Sequence, residues 1–129
     1  MNGLAMTTLV VPDYDEALAF FPRALDFAVI EDSDLGGGKR WVVVGGPDGA
    51  RLLLARAADA QQRAAIGNQT GGRVGWFLHT DDFVAAQARM MAHGVEFLEA
   101  PRHESYGTVA VFRDPFGNRW DLIEPKVAA

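Results

Sequence analysis

The chain has 129 residues, of which 49% are hydrophobic and 22% charged, a composition typical of one soluble globular domain. A total of 12 Lys and Arg against 17 Asp and Glu gives a net charge of −5, which argues against nucleic acid and anionic membranes as partners. The sequence contains no cysteine, so disulfides, thiolate nucleophiles and cysteine-ligated metals are excluded. Because neither a signal peptide nor a membrane-spanning segment is recognisable, we expect a cytoplasmic protein.

The first half of the sequence predicts the order β-α-β-β-β. Met6 to Val11 is β-branched and apolar and predicts a strand. Asp13 is a helix N-cap with Glu16 three residues on, and apolar residues at helical spacing predict a helix over about 14–25. Pro22 lies inside that run and should kink the helix or end its regular part. Strands at 27–31, 40–44 and 51–55 follow, with turns at 33–38 and 45–49, and the Ala- and Gln-rich segment 57–65 favours a short helix.

The same order returns after the linker-like segment 67–72. A strand is predicted over 74–80, Asp81 or Asp82 caps a helix that runs through Ala92, and Gly94 is suited to end it. Strands at 95–98 and 108–113 flank a polar loop at 101–107, PRHESYG. The segment 114–124, DPFGNRWDLIE, predicts a tight turn that leads into a last strand.

The two halves are related by an internal repeat. Asp13 matches Asp82, an offset of 82 − 13 = 69 residues, and Gly49 matches Gly117, an offset of 117 − 49 = 68 residues. Landmarks far apart in each half agree within one residue, which indicates a duplication. We therefore expect a single domain with module one at about 4–56, a linker at about 57–72 and module two at about 73–125.

A duplicated βαβββ module with V-x-D before the first helix and DPxGNxWxLxE at the end resembles the vicinal oxygen chelate superfamily, the glyoxalase, bleomycin-resistance and extradiol-dioxygenase group. The resemblance covers nearly the whole chain, and DPFGNRWDLIE is its most specific part. It implies an α+β fold in which two βαβββ modules form a curved eight-stranded mixed sheet around a cavity, with the helices outside. It also implies a homodimer, with cavities formed within one chain or across the dimer.

Enzymes of this family hold a divalent metal in the cavity on two first-strand residues, usually His or Gln, and two last-strand residues, usually Glu. The repeat places these four positions at Met6, Leu53, Gly75 and Asp121. A methionine thioether is a soft ligand, Leu and Gly offer no ligand atom, and a catalytic zinc needs three protein ligands, so we expect no metal or other cofactor. His79 cannot replace Gly75, because four residues along a strand span about 13 Å. A displaced metal site that uses His79, or His103 with Glu104, stays open as an alternative.

Several polar and aromatic residues are candidates for ligand contact in the implied cavity. Asp121 either marks a former metal position or binds ligand or acts as a base, and its carboxylate should pair with Arg119 or Arg40. His79 is either a hydrogen-bonded strand histidine or a ligand contact and acid–base group. The whole set of predicted ligand-binding residues is Asp121, His79, Phe77, Arg40, Trp41, Arg102, His103, Glu104 and Tyr106.

Two parts of this set have alternative interpretations. The residues between 102 and 106 form either a solvated connection or a lid over the ligand. Arg40 either meets an anionic group or caps the edge of the sheet, and the faces of Trp41 and Phe112 cannot be assigned from the sequence.

Three functions are compatible with the sequence. The preferred one is a metal-free cavity protein that binds a small aromatic or amphipathic molecule, as bleomycin-resistance proteins sequester their drug. The second is a glyoxalase-type lyase, isomerase or dioxygenase with a divalent metal at an unusual site. The third is a metal-free enzyme that uses Asp121 and His79.

Overall fold

The computed structural model describes residues 1–46 and 49–127. The chain divides into two compact units, Met1–Ile66 and Gly67–Ala129. The predicted turn at 45–49 lies partly outside the described residues, because Pro47 and Asp48 are not among them.

The first unit contains one sheet of four strands. Its elements are β1 (Thr7–Val11), α1 (Tyr14–Leu25), β2 (Ala28–Gly36), β3 (Lys39–Gly45), β4 (Arg51–Arg56) and α2 (Ala60–Ala65). The strand order is β1-β4-β3-β2; β1 runs parallel to β4, and the other pairs are antiparallel. The first strand of the unit therefore pairs with its last.

Helix α1 begins and ends where local chemistry requires. The carboxylate of Asp13 accepts a hydrogen bond from the amide of Glu16 at 2.9 Å, and this bond caps the first turn. The helix continues past Pro22 to Leu25, and Asp26 then takes a left-handed conformation with φ 61°. The side of α1 that contacts β2, β3 and β4 is apolar and buried, and it carries Ala17, Phe20, Phe21 and Ala24.

The second unit repeats this arrangement with one additional strand. Its elements are β5 (Trp76–His79), α3 (Phe83–Ala92), β6 (Glu96–Phe97), β7 (Arg102–Glu104), β8 (Gly107–Arg113) and β9 (Arg119–Pro125). The strand order is β5-β9-β8-β6, β7 also pairs with β8, and β5 runs parallel to β9. The predicted α+β class is confirmed. Among the described residues, no helix has the length and apolar character needed to cross a membrane.

Two segments predicted as turn or loop are strands. β2 continues through 33–36, because its pairing with β3 includes register shifts at Val29/Glu31 and Asp34/Gly36 that accommodate extra residues. Segment 102–104, predicted as loop, pairs with β8 as one arm of a hairpin. The described strands are therefore nine and lie in two sheets, whereas the sequence predicted eight.

The turn before β9 is held by a buried carboxylate. Asp114 is 3% exposed, and its Oδ1 accepts the amides of Phe116 and Asn118 at 2.9 and 3.0 Å. Its Oδ2 accepts Asn118 Nδ2 at 2.9 Å and Trp120 Nε1 at 3.1 Å. Burial raises the pKa of Asp114, and these four hydrogen bonds oppose that rise. Because the same carboxylate binds positions 118 and 120, it fixes how β9 enters the sheet.

Replacing Asp114 with alanine should lower the free energy of unfolding by about 3 kcal/mol, since several buried donors then lose their acceptor. Urea denaturation measures the change. Asp82→Ala, which removes the N-cap of α3, should cost about 1 kcal/mol. Asp81→Ala, at an exposed position, should stay within about 0.5 kcal/mol of the parent. A loss for Asp114→Ala no larger than that for Asp82→Ala would contradict this account of the turn.

Candidate functional site

The two faces of the second sheet differ in character. One face lies under α3: Phe112, Trp120 and Leu122 are buried there, and the amide of Phe83 donates to Glu124 Oε1 at 2.8 Å. Because side chains alternate along a strand, their neighbours point the other way. We call this other side the Asp121 face; it carries Phe77, His79, Val111, Asp121 and Ile123.

The strand register relates the Asp121 face to its counterpart in the first unit. Asp121 lies between Phe77 of β5 and Val111 of β8. In the first unit, Leu53 lies between Thr8 of β1 and Val43 of β3. Leu53 therefore occupies the position of Asp121, in agreement with the repeat found in the sequence. Duplication has left a carboxylate in one copy and an isobutyl group in the other.

The residues at the family's metal positions do not fit a divalent metal ion. Leu53 and Gly75 carry no ligand atom in their side chains, and the thioether of Met6 suits soft ions. Over 1–46 and 49–127, no group of three or more His, Asp or Glu side chains could hold a metal. Of the four positions, only Asp121 carries a hard ligand.

Asp121 has an unusual environment for a carboxylate. Its Oδ1 is buried and has no hydrogen-bond partner in the described part of the chain. Burial raises the pKa of Asp121; the positive charge of Arg102 opposes this rise and the negative charge of Glu99 adds to it. An acceptor left buried without a donor costs about 1–3 kcal/mol, so this oxygen is a source of instability in the isolated protein.

The prediction that Asp121 pairs with Arg119 or Arg40 is wrong. Arg119 shares the face of Asp121 but is exposed, and Oδ1 accepts no hydrogen bond from it. Arg40 belongs to the first unit, where its Nη1 lies 2.9 Å from Asp15 and its Nη2 lies 2.8 Å from Asp32.

The remaining predicted residues of the first unit separate onto two faces. The guanidinium of Arg40 lies 5.2 Å from the ring centre of Tyr14, which places Arg40 on the face covered by α1. Trp41 is next in β3 and therefore lies on the opposite face, with Val43 and Leu53, where it is half-buried. Arg40 thus holds α1 to the sheet, whereas Trp41 lies on the side equivalent to the Asp121 face.

Arg102 is the central residue of an ion-pair cluster at the edge of the Asp121 face. Its Nε donates to Glu99, its Nη1 donates to Glu104 at 2.9 Å, and the side chain of Tyr106 also favours its charged form. These partners raise the pKa of Arg102. Because the guanidinium is occupied by Glu99 and Glu104, it influences Asp121 through charge and supplies no hydrogen bond to Oδ1. Sequence reasoning did not select Glu99; its only signal was the three-residue spacing to Arg102.

The histidines in the predicted set lie on different faces. His79 pairs with Ile123, two residues further along the same strands than the Phe77–Asp121 pair, and it is exposed on the Asp121 face. His103 points to the other face, where its Nδ1 lies 3.3 Å from Thr108 Oγ1. Since His103 and Glu104 are adjacent in β7, their side chains point in opposite directions and are not placed to ligate one ion.

Comparison with known proteins identifies the family. The model of the glyoxalase/bleomycin resistance protein/dioxygenase superfamily matches residues 3–122, and the chain belongs to this superfamily. An uncharacterized protein of Shewanella frigidimarina is 51% identical over 126 residues, covering 95% of this chain and 93% of that protein.

Two solved structures are similar over nearly their whole length. The crystal structure of UcmS2 has a TM-score of 0.82 at 30% identity and covers 96% of this chain and 98% of its own. TnmS3 from Streptomyces sp. CB03234, described as an antibiotic binding protein, has a TM-score of 0.77 at 26% identity and covers 98% of each chain. Both likenesses show that this fold is shared over nearly the whole chain.

Replacing Asp121 with leucine, the residue at the equivalent position 53, should raise the free energy of unfolding at pH 7 by about 1 kcal/mol. The pKa of Asp121 is raised in the folded protein. Its carboxylate therefore destabilises the fold increasingly as the pH rises from the pKa of the unfolded chain to that of the folded protein. The gain from Asp121→Leu should therefore be smaller at pH 3.5 than at pH 7. Urea denaturation at the two pH values measures both effects.

Asp81→Leu serves as the control, because it removes a carboxylate from an exposed position outside the Asp121 face. It should change stability little and equally at both pH values. An Asp121→Leu protein less stable than the parent at pH 7 would show that Oδ1 is satisfied in solution.

Proposed function

We propose that the protein binds a small molecule on the Asp121 face of the second sheet, through Asp121 and Phe77, without the family's usual metal. The observation that carries this proposal is the buried Oδ1 of Asp121, which accepts no hydrogen bond from the described residues. A ligand with a hydrogen-bond donor would satisfy this oxygen. The cost of leaving it unpaired in the free protein would then become a gain on binding.

Phe77 supplies the apolar surface next to this acceptor. It is 62% exposed, although it lies in a strand and directly beside Asp121 in the register. Neighbouring strands lie about 4.8 Å apart, so one small molecule can contact both side chains at once. An exposed aromatic ring beside one oriented polar group is the usual composition of a ligand site.

The hairpin of β7 and β8 adds a polar border to this surface. Tyr106, in the connection between the two strands, is 54% exposed, and its side chain favours the charged form of Arg102. Arg102 and Glu104 lie on the same side of the sheet as Asp121, since they pair with Val109 and Gly107. Of the two interpretations of this segment, the ion pairs of Arg102 with Glu99 and Glu104 support contact with a ligand more than a solvated connection.

Two further considerations support the proposal: the first concerns the absence of a metal and the second the binding role. The donor set at the family positions is inadequate for a hard or borderline ion, because Leu53 and Gly75 contribute nothing. TnmS3 is described as an antibiotic binding protein, which supports a binding role for this chain, at 26% identity and a TM-score of 0.77. Elemental analysis of the purified protein tests the metal-free proposal, and a stoichiometric divalent metal would overturn it.

A thermal-shift screen of small molecules should yield compounds that raise the melting temperature, since a ligand stabilises the state that binds it. Asp121→Ala and Phe77→Ala should each lower the affinity for these compounds by about tenfold or more, the effect of losing one charged hydrogen bond or one aromatic contact. Titration calorimetry measures the affinities.

Matched controls are Asp81→Ala and Val84→Ala, which remove an exposed carboxylate and an exposed apolar side chain outside the Asp121 face. Neither should change the affinity. If the confirmed ligands bind Asp121→Ala and Phe77→Ala as tightly as the parent, the site lies elsewhere and the proposal fails.

We also propose that the protein is a homodimer, on the strength of the family resemblance. Light scattering at micromolar concentration should give twice the 14.0 kDa mass of the chain. The mass of a single chain would contradict this proposal and would leave the Asp121 site intact.

A further inference from the structure

We infer that the ligand presents a protonated amine to Asp121 and places an aromatic ring against Phe77. This inference rests on the proposed function, because it names the chemical class of the molecule bound at the same site. It is carried by three features of the Asp121 face: an acceptor without a donor, an arginine whose donors are already used, and an exposed ring beside the carboxylate.

The first feature determines which atoms the ligand must bring. An ionised carboxylate only accepts hydrogen bonds, so the partner of Oδ1 has to be a donor. A carboxylate or phosphate on the ligand would add a second acceptor and a like charge at this point. The structure therefore favours amines and hydroxyls and disfavours anions at Asp121.

The second feature separates amines from hydroxyls. Arg102 carries the positive charge that opposes the rise in the pKa of Asp121, but its guanidinium donates to Glu99 and Glu104. Those two carboxylates and Asp121 outnumber Arg102 by 3 − 1 = 2 charges. A neutral hydroxyl would supply a donor and leave this imbalance, whereas an ammonium supplies both the donor and the charge.

The other charged groups on this face do not reverse the balance. Arg113 lies 3.6 Å from Glu96, and the two cancel. Arg119 is exposed and lies two positions before Asp121 in β9, where it reduces the excess of negative charge to one. His79, on β5, is exposed beside Ile123 and adds no negative charge to the face. The face as a whole thus remains negative around an unpaired acceptor.

The third feature positions the ring of the ligand. Phe77 pairs directly with Asp121 and is 62% exposed, so its ring is free to stack with a flat molecule. An ammonium held at Oδ1 would also lie near this ring, whose face attracts a cation through the aromatic quadrupole. An amine separated from an aromatic system by one methylene group matches both contacts.

Three probes with the same ring test the inference: 2-naphthylmethylamine, 2-naphthylmethanol and 2-naphthoate. Calorimetry at pH 7.5 should show the amine binding at least about tenfold more tightly than the alcohol, because the amine forms an ion pair with the carboxylate whereas the alcohol forms a hydrogen bond in which only the acceptor is charged. The carboxylate should bind most weakly. In Asp121→Asn the amine should lose much more affinity than the alcohol, so that the preference for the amine disappears.

Asp81→Asn is the control, because it removes the same charge from the chain at an exposed position outside the site. It should leave the preference for the amine unchanged. The inference is overturned if the alcohol or the carboxylate binds as tightly as the amine, if Asp121→Asn keeps the preference, or if none of the three probes binds.

These outcomes are distinct from failure of the proposed function. If screened ligands are neutral or anionic and still require Asp121 and Phe77, the binding site stands and the amine assignment falls. If ligands bind without either residue, both proposals fail.

Discussion

The carboxylate of Asp114 fixes the start of β9, and the geometry of the Asp121 face depends on it. Four donors converge on the carboxylate of Asp114. Three belong to Phe116 and Asn118 in the turn, and the fourth is the indole N–H of Trp120 in the strand that follows. This arrangement leaves little freedom in the register of β9, so the side of the sheet on which Asp121 emerges is determined by the turn. A slip of one residue would move Asp121 under α3 and expose Trp120.

The carboxylates of Asp114 and Asp121 show opposite uses of the same chemical group. Asp114 has all its hydrogen bonds supplied by the protein and acts in the fold. Asp121, seven residues later (121 − 114 = 7), has a buried oxygen without a donor, beside an exposed aromatic ring. Its counterpart Leu53 shows that the repeated fold does not need a carboxylate at this position. A group that the fold does not need, and that destabilises it, supports our proposal that Asp121 contacts a ligand.

Local chemistry made much of the fold predictable. The bounds of α1 follow from the Asp13 cap and the apolar spacing, and the repeat offsets place Leu53 opposite Asp121 in agreement with the strand register. The sequence did not reveal β7, because a polar segment such as 102–104 becomes a strand only through backbone pairing with β8. Nor did it reveal the pairing of charges: Arg40 was expected near Asp121 but is held by Asp15 and Asp32. The partners in such ion pairs come from distant parts of the chain. Which residues meet depends on the register of the strands, and residue type alone does not predict that register.

The most direct test of this account is a pH titration of the Asp121 side-chain carboxyl by carbon-13 NMR, alone and with saturating 2-naphthylmethylamine. Asp121→Asn identifies the resonance, and the well-bonded Asp114 carboxyl serves as an internal reference. The account predicts that the pKa of Asp121 in the free protein lies above the usual range of an aspartate and falls when the amine is bound, while the pKa of Asp114 does not change. An Asp121 pKa at or below the ordinary value in the free protein, or one that the amine leaves unchanged, would contradict the claim that this oxygen awaits a donor from a ligand.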